Sequence, residues 1–136
     1  MPITAVYAAV LTALFVYLSG RVIAWRRAQR VEIGDGADKE LLRRMRVHAN
    51  FVEYTPFFLV LLGLAESLSS PKLILHALGA VFVVGRLLHA YALSQTPHIL
   101  KLRVVGMVLS LNALIFGASL CVVMALRNGE IGRAHV

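Results

Sequence analysis

Four long apolar stretches organise the chain: Ile3 to Ala24, Val47 to Leu68, Leu73 to Leu93 and Val104 to Leu126. At 1.5 Å per residue, a helix of about 20 residues reaches about 30 Å, the thickness of a bilayer's hydrocarbon core. Each stretch therefore predicts a membrane-crossing helix. The first is interrupted only by Thr4, Thr12, Ser19, Gly20 and Arg21. No basic segment precedes it and no A-x-A site closes it, so it reads as a retained helix rather than a cleaved signal peptide. The connections Ser69-Ser70-Pro71 and Gln95 to Lys101 are short, which makes neighbouring helices antiparallel. The first connection is longer and carries a turn signal at Gly34-Asp35-Gly36, after which Asp35 or Asp38 can cap a helix beginning near Ala37. Leu41, Leu42 and Met45 then recur at helical spacing, so the second helix should start outside the membrane and pack against its neighbours there. The expectation is an all-α membrane protein: one domain over residues 1–136, built as an up-down bundle of four transmembrane helices.

Composition strengthens this reading. Of the 136 residues, 59% are hydrophobic and only 15% charged, and mean hydropathy is +0.76. Soluble domains carry about 25% charged residues, so an ordinary soluble domain is excluded. The net charge of +7 would suggest nucleic acid in a soluble chain, but no basic stripe interleaved with aromatics exists, and no nucleic-acid partner is expected. Seven of the 14 basic residues lie in the loop 26–46. With Lys101 and Arg103, one side of the membrane collects nine, against Lys72, Arg127 and Arg133 on the other. Positive charge is retained in the cytosol, so both chain ends should lie on the non-cytoplasmic side. Cys121 is the only cysteine, which leaves no disulfide or thiolate cluster and reads as a small buried apolar residue. His48, His76, His89, His98 and His135 show no HxxxH or HExxH spacing, and no metal is expected.

The chemistry lies where polar residues enter the apolar stretches. Arg46, Asn50 and Glu53, spaced i, i+4, i+7, share one face of the second helix, flanked by His48 and Tyr54. Arg86 and His89 form a second polar face on the third helix. Neither tolerates lipid, so both should face the bundle or a wet cavity. Glu53 and Arg86 are expected to pair across the two helices, since an unpaired charge at that depth is costly; such a pair could also serve only to lock helix register. His48, near the bilayer edge, reads as interfacial. Glu66, at the far end of the second helix, is expected to be solvated, and Arg21, Arg26 and Arg27 to snorkel.

The run Arg46-Val47-His48-Ala49-Asn50-Phe51-Val52-Glu53-Tyr54-Thr55-Pro56, followed by Gly85-Arg86-Leu87-Leu88-His89, resembles the membrane-associated proteins in eicosanoid and glutathione metabolism, the MAPEG family. The pairing of R-x-H-x-N-x-x-E with G-R-x-x-H is fairly specific, and four spans with a basic first loop extend the likeness through nearly the whole chain. It is closest in kind to the short bacterial inner-membrane, microsomal-glutathione-transferase-like members. The resemblance implies a homotrimer that binds glutathione between adjacent subunits near the cytosolic face. It also implies glutathione-binding roles for Arg46, Asn50, Glu53 and His89, a structural role for the intramembrane Arg86, and thiolate stabilisation by Arg103.

Glutathione carries two carboxylates and one ammonium, so its site needs arginines and a carboxylate such as Glu53. A cation beside its thiol raises the thiolate fraction, and the bilayer supplies an apolar second substrate. The implied activity is a glutathione-dependent transferase, or a related peroxidase, acting on lipophilic electrophiles, with glutathione, membrane lipid, the lipophilic substrate and further copies of the chain as partners. Three positions depart from common members: Ala49 replaces a second arginine, Leu93 a tyrosine, and Val104 a serine. They leave a non-catalytic protein binding glutathione or another small anion, or serving as a structural partner, as the alternative. A small proton-coupled exporter is disfavoured because the first span contains no acid. Gly106 with Ser110, and Ala113 with Gly117, are small-xxx-small pairs that could support oligomerisation.

Overall fold

The computed structural model describes residues 1–134, with side chains described through residue 129. Arg133 enters the description by its backbone alone, and His135 lies outside the described residues. Four helices follow one another: α1 (Pro2–Gln29), α2 (Lys39–Ser67), α3 (Lys72–Ser94) and α4 (Leu100–Ala134). All four are long and apolar enough to cross a membrane; the chain is a multi-pass membrane protein.

Local sequence sets the helix ends. Pro2 occupies the first turn of α1, where its missing N–H costs nothing. That helix closes on Arg30, left-handed at φ 55°, after which Val31 donates its N–H back to the Arg26 carbonyl at 3.0 Å. Of the two possible caps for α2, Asp38 is used: its carboxylate accepts from the N–H groups of Glu40 at 2.8 Å and Leu41 at 2.9 Å. Asp35 closes the preceding turn through the N–H of Ala37. As expected, α2 begins well before its apolar stretch, and Leu41 in that extension is fully buried. The basic loop and Asp38 are further tied to α1 by Trp25, whose indole N–H donates to Asp38 at 3.1 Å while the Arg44 guanidinium lies 4.4 Å over its ring. Hydrogen bonding to Leu41 and Trp25, aided by the nearby Arg44 charge, holds the Asp38 carboxyl below its ordinary value.

In cross-section α2 and α3 form the centre. Helix α1 packs on both from one side and α4 on both from the other, and among the described residues α1 and α4 do not meet. Leu11, Leu18, Phe51, Phe58, Leu62, Leu75 and Phe82 fill the interior, with the Phe58 and Phe82 rings stacked at 4.0 Å. Outside, Val6, Val10 and Val16 on α1 and Val105, Ile115 and Val122 on α4 are exposed, as hydrocarbon-facing surfaces require.

The tightest contact joins α3 to α4. A Cβ on Gly85 would lie 2.6 Å from Ser110 Oγ, and one on Gly106 would lie 2.6 Å from the His89 backbone nitrogen and 2.7 Å from the Gly85 carbonyl oxygen. Only glycine allows these backbones to touch. This corrects the oligomerisation reading of Gly106 and Ser110: both face α3 of the same chain, and Ser110 is fully buried. Ala113 is buried too, and Gly117 packs toward Leu61 of α2.

One further expectation is corrected. Glu66 is not simply solvated: its carboxylate accepts from the N–H groups of Ile3 at 3.0 Å and Thr4 at 2.8 Å, and from the Thr4 hydroxyl at 2.6 Å. It caps the start of α1, whose first turn leaves those donors without intrahelical partners. At the basic-loop end Arg21 donates to Ser94 Oγ at 2.9 Å and Arg26 to the Gly34 carbonyl at 2.8 Å. His48 sits beside Phe15, with its Nε2 3.0 Å from Ser19 Oγ.

Candidate functional site

A cavity of about 390 Å³ opens between α2, α3 and α4 at the end of the bundle that carries the basic loop. Its walls bring together Arg46 and Asn50 from α2, His89 and Leu93 from α3, and Arg103, Val104, Met107 and Val108 from α4. Four of the five residues expected to meet substrate thus share one hollow, although they are spread over 58 positions of sequence, from 46 to 103.

The rotation of α2 decides which of its polar residues enter. Val47, Phe51, Phe58 and Leu62 form its buried stripe. At about 100° per residue, Asn50 lies about 60° to one side of Val47 and Glu53 about 120°. Asn50 is accordingly half-buried at the cavity, whereas Glu53 is exposed and does not line it.

The expected Glu53–Arg86 ion pair is therefore absent; among the described residues the only salt bridges join Glu40 to Arg43 and Arg44. Arg86, 2% exposed, takes neutral partners. Its Nε donates to Ser110 Oγ at 2.8 Å and its Nη1 to Asn50 Oδ1 at 2.8 Å, with Met107 Sδ at 3.7 Å from Nη2. The guanidinium also lies 5.1 Å from the Tyr54 ring centre and 5.7 Å from that of Phe82. Ser110 in turn donates to the Gly106 carbonyl at 2.8 Å. Arg86 thus links α2, α3 and α4 directly behind the cavity. Ser110 and Met107 escaped the sequence reading as its partners, though a hydroxyl in the middle of an apolar span was the available signal.

His89 is 5% exposed. Its Nδ1 is 3.1 Å from the Arg103 carbonyl oxygen, which can only accept, so Nδ1 carries the proton and Nε2 is the free nitrogen. His89 thereby fixes the first turn of α4, and with it the half-buried Arg103.

The electrostatic character follows. Asn50 spends its carbonyl on Arg86, leaving its NH₂ as a donor; Arg46 and Arg103 carry fixed positive charge; no acid lines the cavity. Leu93, Val104, Met107 and Val108 make the remaining wall apolar. The arrangement suits an anionic or thiolate-bearing group beside an apolar one. It offers no hydroxyl at Leu93 or Val104. Among the described residues no three His, Cys, Asp or Glu side chains converge as a metal site would need.

Comparison with known proteins agrees with the motif resemblance. The model described as the MAPEG family matches residues 4–123. The inner membrane protein YecN of Escherichia coli strain K12 is 36% identical over 89 residues, covering 65% of this chain and 68% of that protein. The protein of the same name from Escherichia coli O6:H1 matches to the same extent, at 36% over 89 residues.

Proposed function

The chain belongs to the MAPEG family, and from that premise we propose that it is a glutathione-dependent transferase that joins the glutathione thiolate to lipophilic electrophiles. The observation that carries this reading is the convergence of Arg46, Asn50, His89 and Arg103 on one cavity with an apolar wall. Arg46 and the Asn50 amide hold glutathione carboxylates through charge-assisted and neutral hydrogen bonds. Arg103, at the first turn of α4, lies beside the sulfur and favours the thiolate over a thiol whose ordinary pKa is about 8.5. His89 contributes its Nε2 to the bound tripeptide and holds Arg103 through its Nδ1. The sulfur lone pair then attacks an electrophile arriving from the bilayer past Val104 and Val108; in a substitution the displaced group leaves through the open mouth, and in an addition the adduct takes up a proton from water there. With a hydroperoxide as electrophile, the sulfur takes the distal oxygen as the O–O bond breaks and the alcohol leaves, and a second glutathione converts the sulfenic acid to the disulfide and water, which makes the reaction a peroxidase one.

Glu53 lies exposed one turn beyond Asn50, the position from which it can reach the glutathione ammonium once a neighbouring subunit closes the cavity. The family resemblance implies that the assembly is a homotrimer with sites between subunits. The name of the YecN relatives supports placement in the inner membrane, and the basic loop supports a cytosolic site with both chain ends on the other side. A second reading is favoured by Leu93 and Val104, which place hydrocarbon where a hydroxyl would assist the thiolate: a MAPEG-fold protein that holds glutathione or another small anion, or acts as a structural partner, without turnover.

The test is glutathione binding to detergent-purified protein, with thiolate formation followed by ultraviolet difference absorbance and conjugation followed with a model electrophile. Arg103→Ala should lose the thiolate signal and at least about tenfold in turnover while retaining the wild-type oligomer; Glu53→Gln should weaken binding. Binding without turnover in the wild type selects the second reading, and no binding at all removes both glutathione readings.

A further inference from the structure

A second cavity lies at the same end of the bundle but on its opposite flank, between α1 and α3, with a volume of about 410 Å³. It shares no residue with the cavity between α2, α3 and α4. Its lining includes Arg21 from α1, Ser94 from the last turn of α3 and Gln95, the C-cap of that helix. The Arg21 guanidinium has no carboxylate within 4.0 Å among the described residues; the Ser94 hydroxyl takes one of its five N–H donors, and the Tyr17 ring lies 6.0 Å away. Arg44 donates to the Arg21 backbone carbonyl and is itself paired with Glu40 at 2.8 Å, so it leaves the Arg21 charge in place. Tyr17 and Tyr91, both more than half exposed, also line the hollow. No acid lines the hollow.

Depth identifies the kind of occupant. Arg21 lies 18 residues after Ile3 in one continuous helix, about 27 Å along its axis. That is the boundary between a hydrocarbon core about 30 Å thick and its headgroups. Toward the membrane centre the same hollow is walled by Leu14, Leu18 and Leu87. A charged donor set at headgroup level above an apolar trough matches an amphiphile whose anionic group and chain enter together. We propose that this groove binds the phosphate of an anionic membrane phospholipid from the leaflet facing the basic loop. The phosphate oxygens take the free Arg21 donors and the tyrosine hydroxyls, and an acyl chain lies along Leu14 and Leu87. Free phosphate shares the headgroup chemistry but cannot use the apolar wall.

The site is independent of the glutathione reading and is tested on the full chain in nanodiscs mixing phosphatidylglycerol with phosphatidylcholine, the retained lipid being identified by native mass spectrometry. Both lipids carry a phosphodiester, but the choline ammonium of phosphatidylcholine offsets its charge and would be repelled by Arg21, so wild type should retain phosphatidylglycerol in preference by about tenfold. Arg21→Gln should lose the preference and Arg21→Lys keep part of it. Ser94→Ala, which leaves the guanidinium in place, should keep the lipid. Glutathione binding, measured in parallel, should be unchanged in Arg21→Gln. Equal retention by wild type and Arg21→Gln would overturn the proposal, as would loss of lipid in Ser94→Ala. Displacement of the lipid by millimolar inorganic phosphate would give the site to the free anion and overturn the lipid assignment.

Discussion

Replacing Gly106 by alanine tests the contact on which the candidate site is built. The added Cβ would stand 2.6 Å from the His89 nitrogen, 2.7 Å from the Gly85 oxygen and 3.0 Å from His89 Cα, where ordinary contact begins at 3.4 Å. Every obstacle is backbone, so no side chain can swing aside and the helices must part by about 1 Å. Overpacking of this kind costs about 1–3 kcal/mol. Separation also stretches the Arg86–Ser110 and His89–Arg103 hydrogen bonds, at 2.8 and 3.1 Å, each with a net worth of about 1 kcal/mol. A loss of about 3 kcal/mol should lower Tm by roughly 10 °C. The assay is built in: Cys121 is the sole cysteine, half-buried with its thiol donating to the Leu61 carbonyl at 3.3 Å, so a thiol-reactive dye reports unfolding. Gly20→Ala is the control. Nothing lies within 4 Å of its added Cβ, and removing a glycine from a helix interior should stabilise by about 0.5–1 kcal/mol. If Gly106→Ala melts within about 2 °C of wild type, or Gly20→Ala falls as far, the close α3–α4 contact is not what holds these helices.

Other consequences are open to direct measurement. Glu66→Gln replaces the charged cap of α1 with a neutral one and should destabilise the protein, read as a lower melting temperature with early exchange of the Ile3 and Thr4 amides; unchanged exchange would show that these bonds do not tie down the helix start. Asp38 has a folded pKa below its unfolded value of 3.8. Its contribution is therefore fully present above that pH and is lost as pH falls through the folded value. Trp25, the only tryptophan, donates to this carboxylate, so its emission should shift below about pH 4 in wild type and show no such transition in Asp38→Asn; identical acid titrations would break the assignment.

The architecture was legible because a bilayer imposes a one-dimensional rule. Any segment crossing it must be apolar for about 20 residues and satisfy its own backbone, and the spans Ile3 to Ala24, Val47 to Leu68, Leu73 to Leu93 and Val104 to Leu126 can be read without knowing what they touch. The same holds for local chemistry: the Gly34-Asp35-Gly36 turn and the Asp38 cap depend on residues within a few positions of one another. Periodicity also placed Arg46, Asn50 and Glu53 on one side of α2 and Arg86 with His89 on α3.

Which neighbour each side chain meets was decided only in three dimensions. Spacing shows that residues share a face but not how the helix is rotated about its axis, and the buried stripe from Val47 to Leu62 turns Asn50 inward and Glu53 out. Arg86 therefore bonds Asn50 and Ser110 rather than an acid. Glu66 meets α1, 62 residues away at Thr4, because antiparallel packing returns the chain to its start. Gly106 and Ser110 were legible as a pair for close approach, but a pair of small residues does not name its partner, and α3 of the same chain occupies that face. Sequence determined the helices, their polarity and their polar inventory, since those are properties of single segments. Tertiary packing determined the pairings, since each depends on the rotation and separation of two helices together.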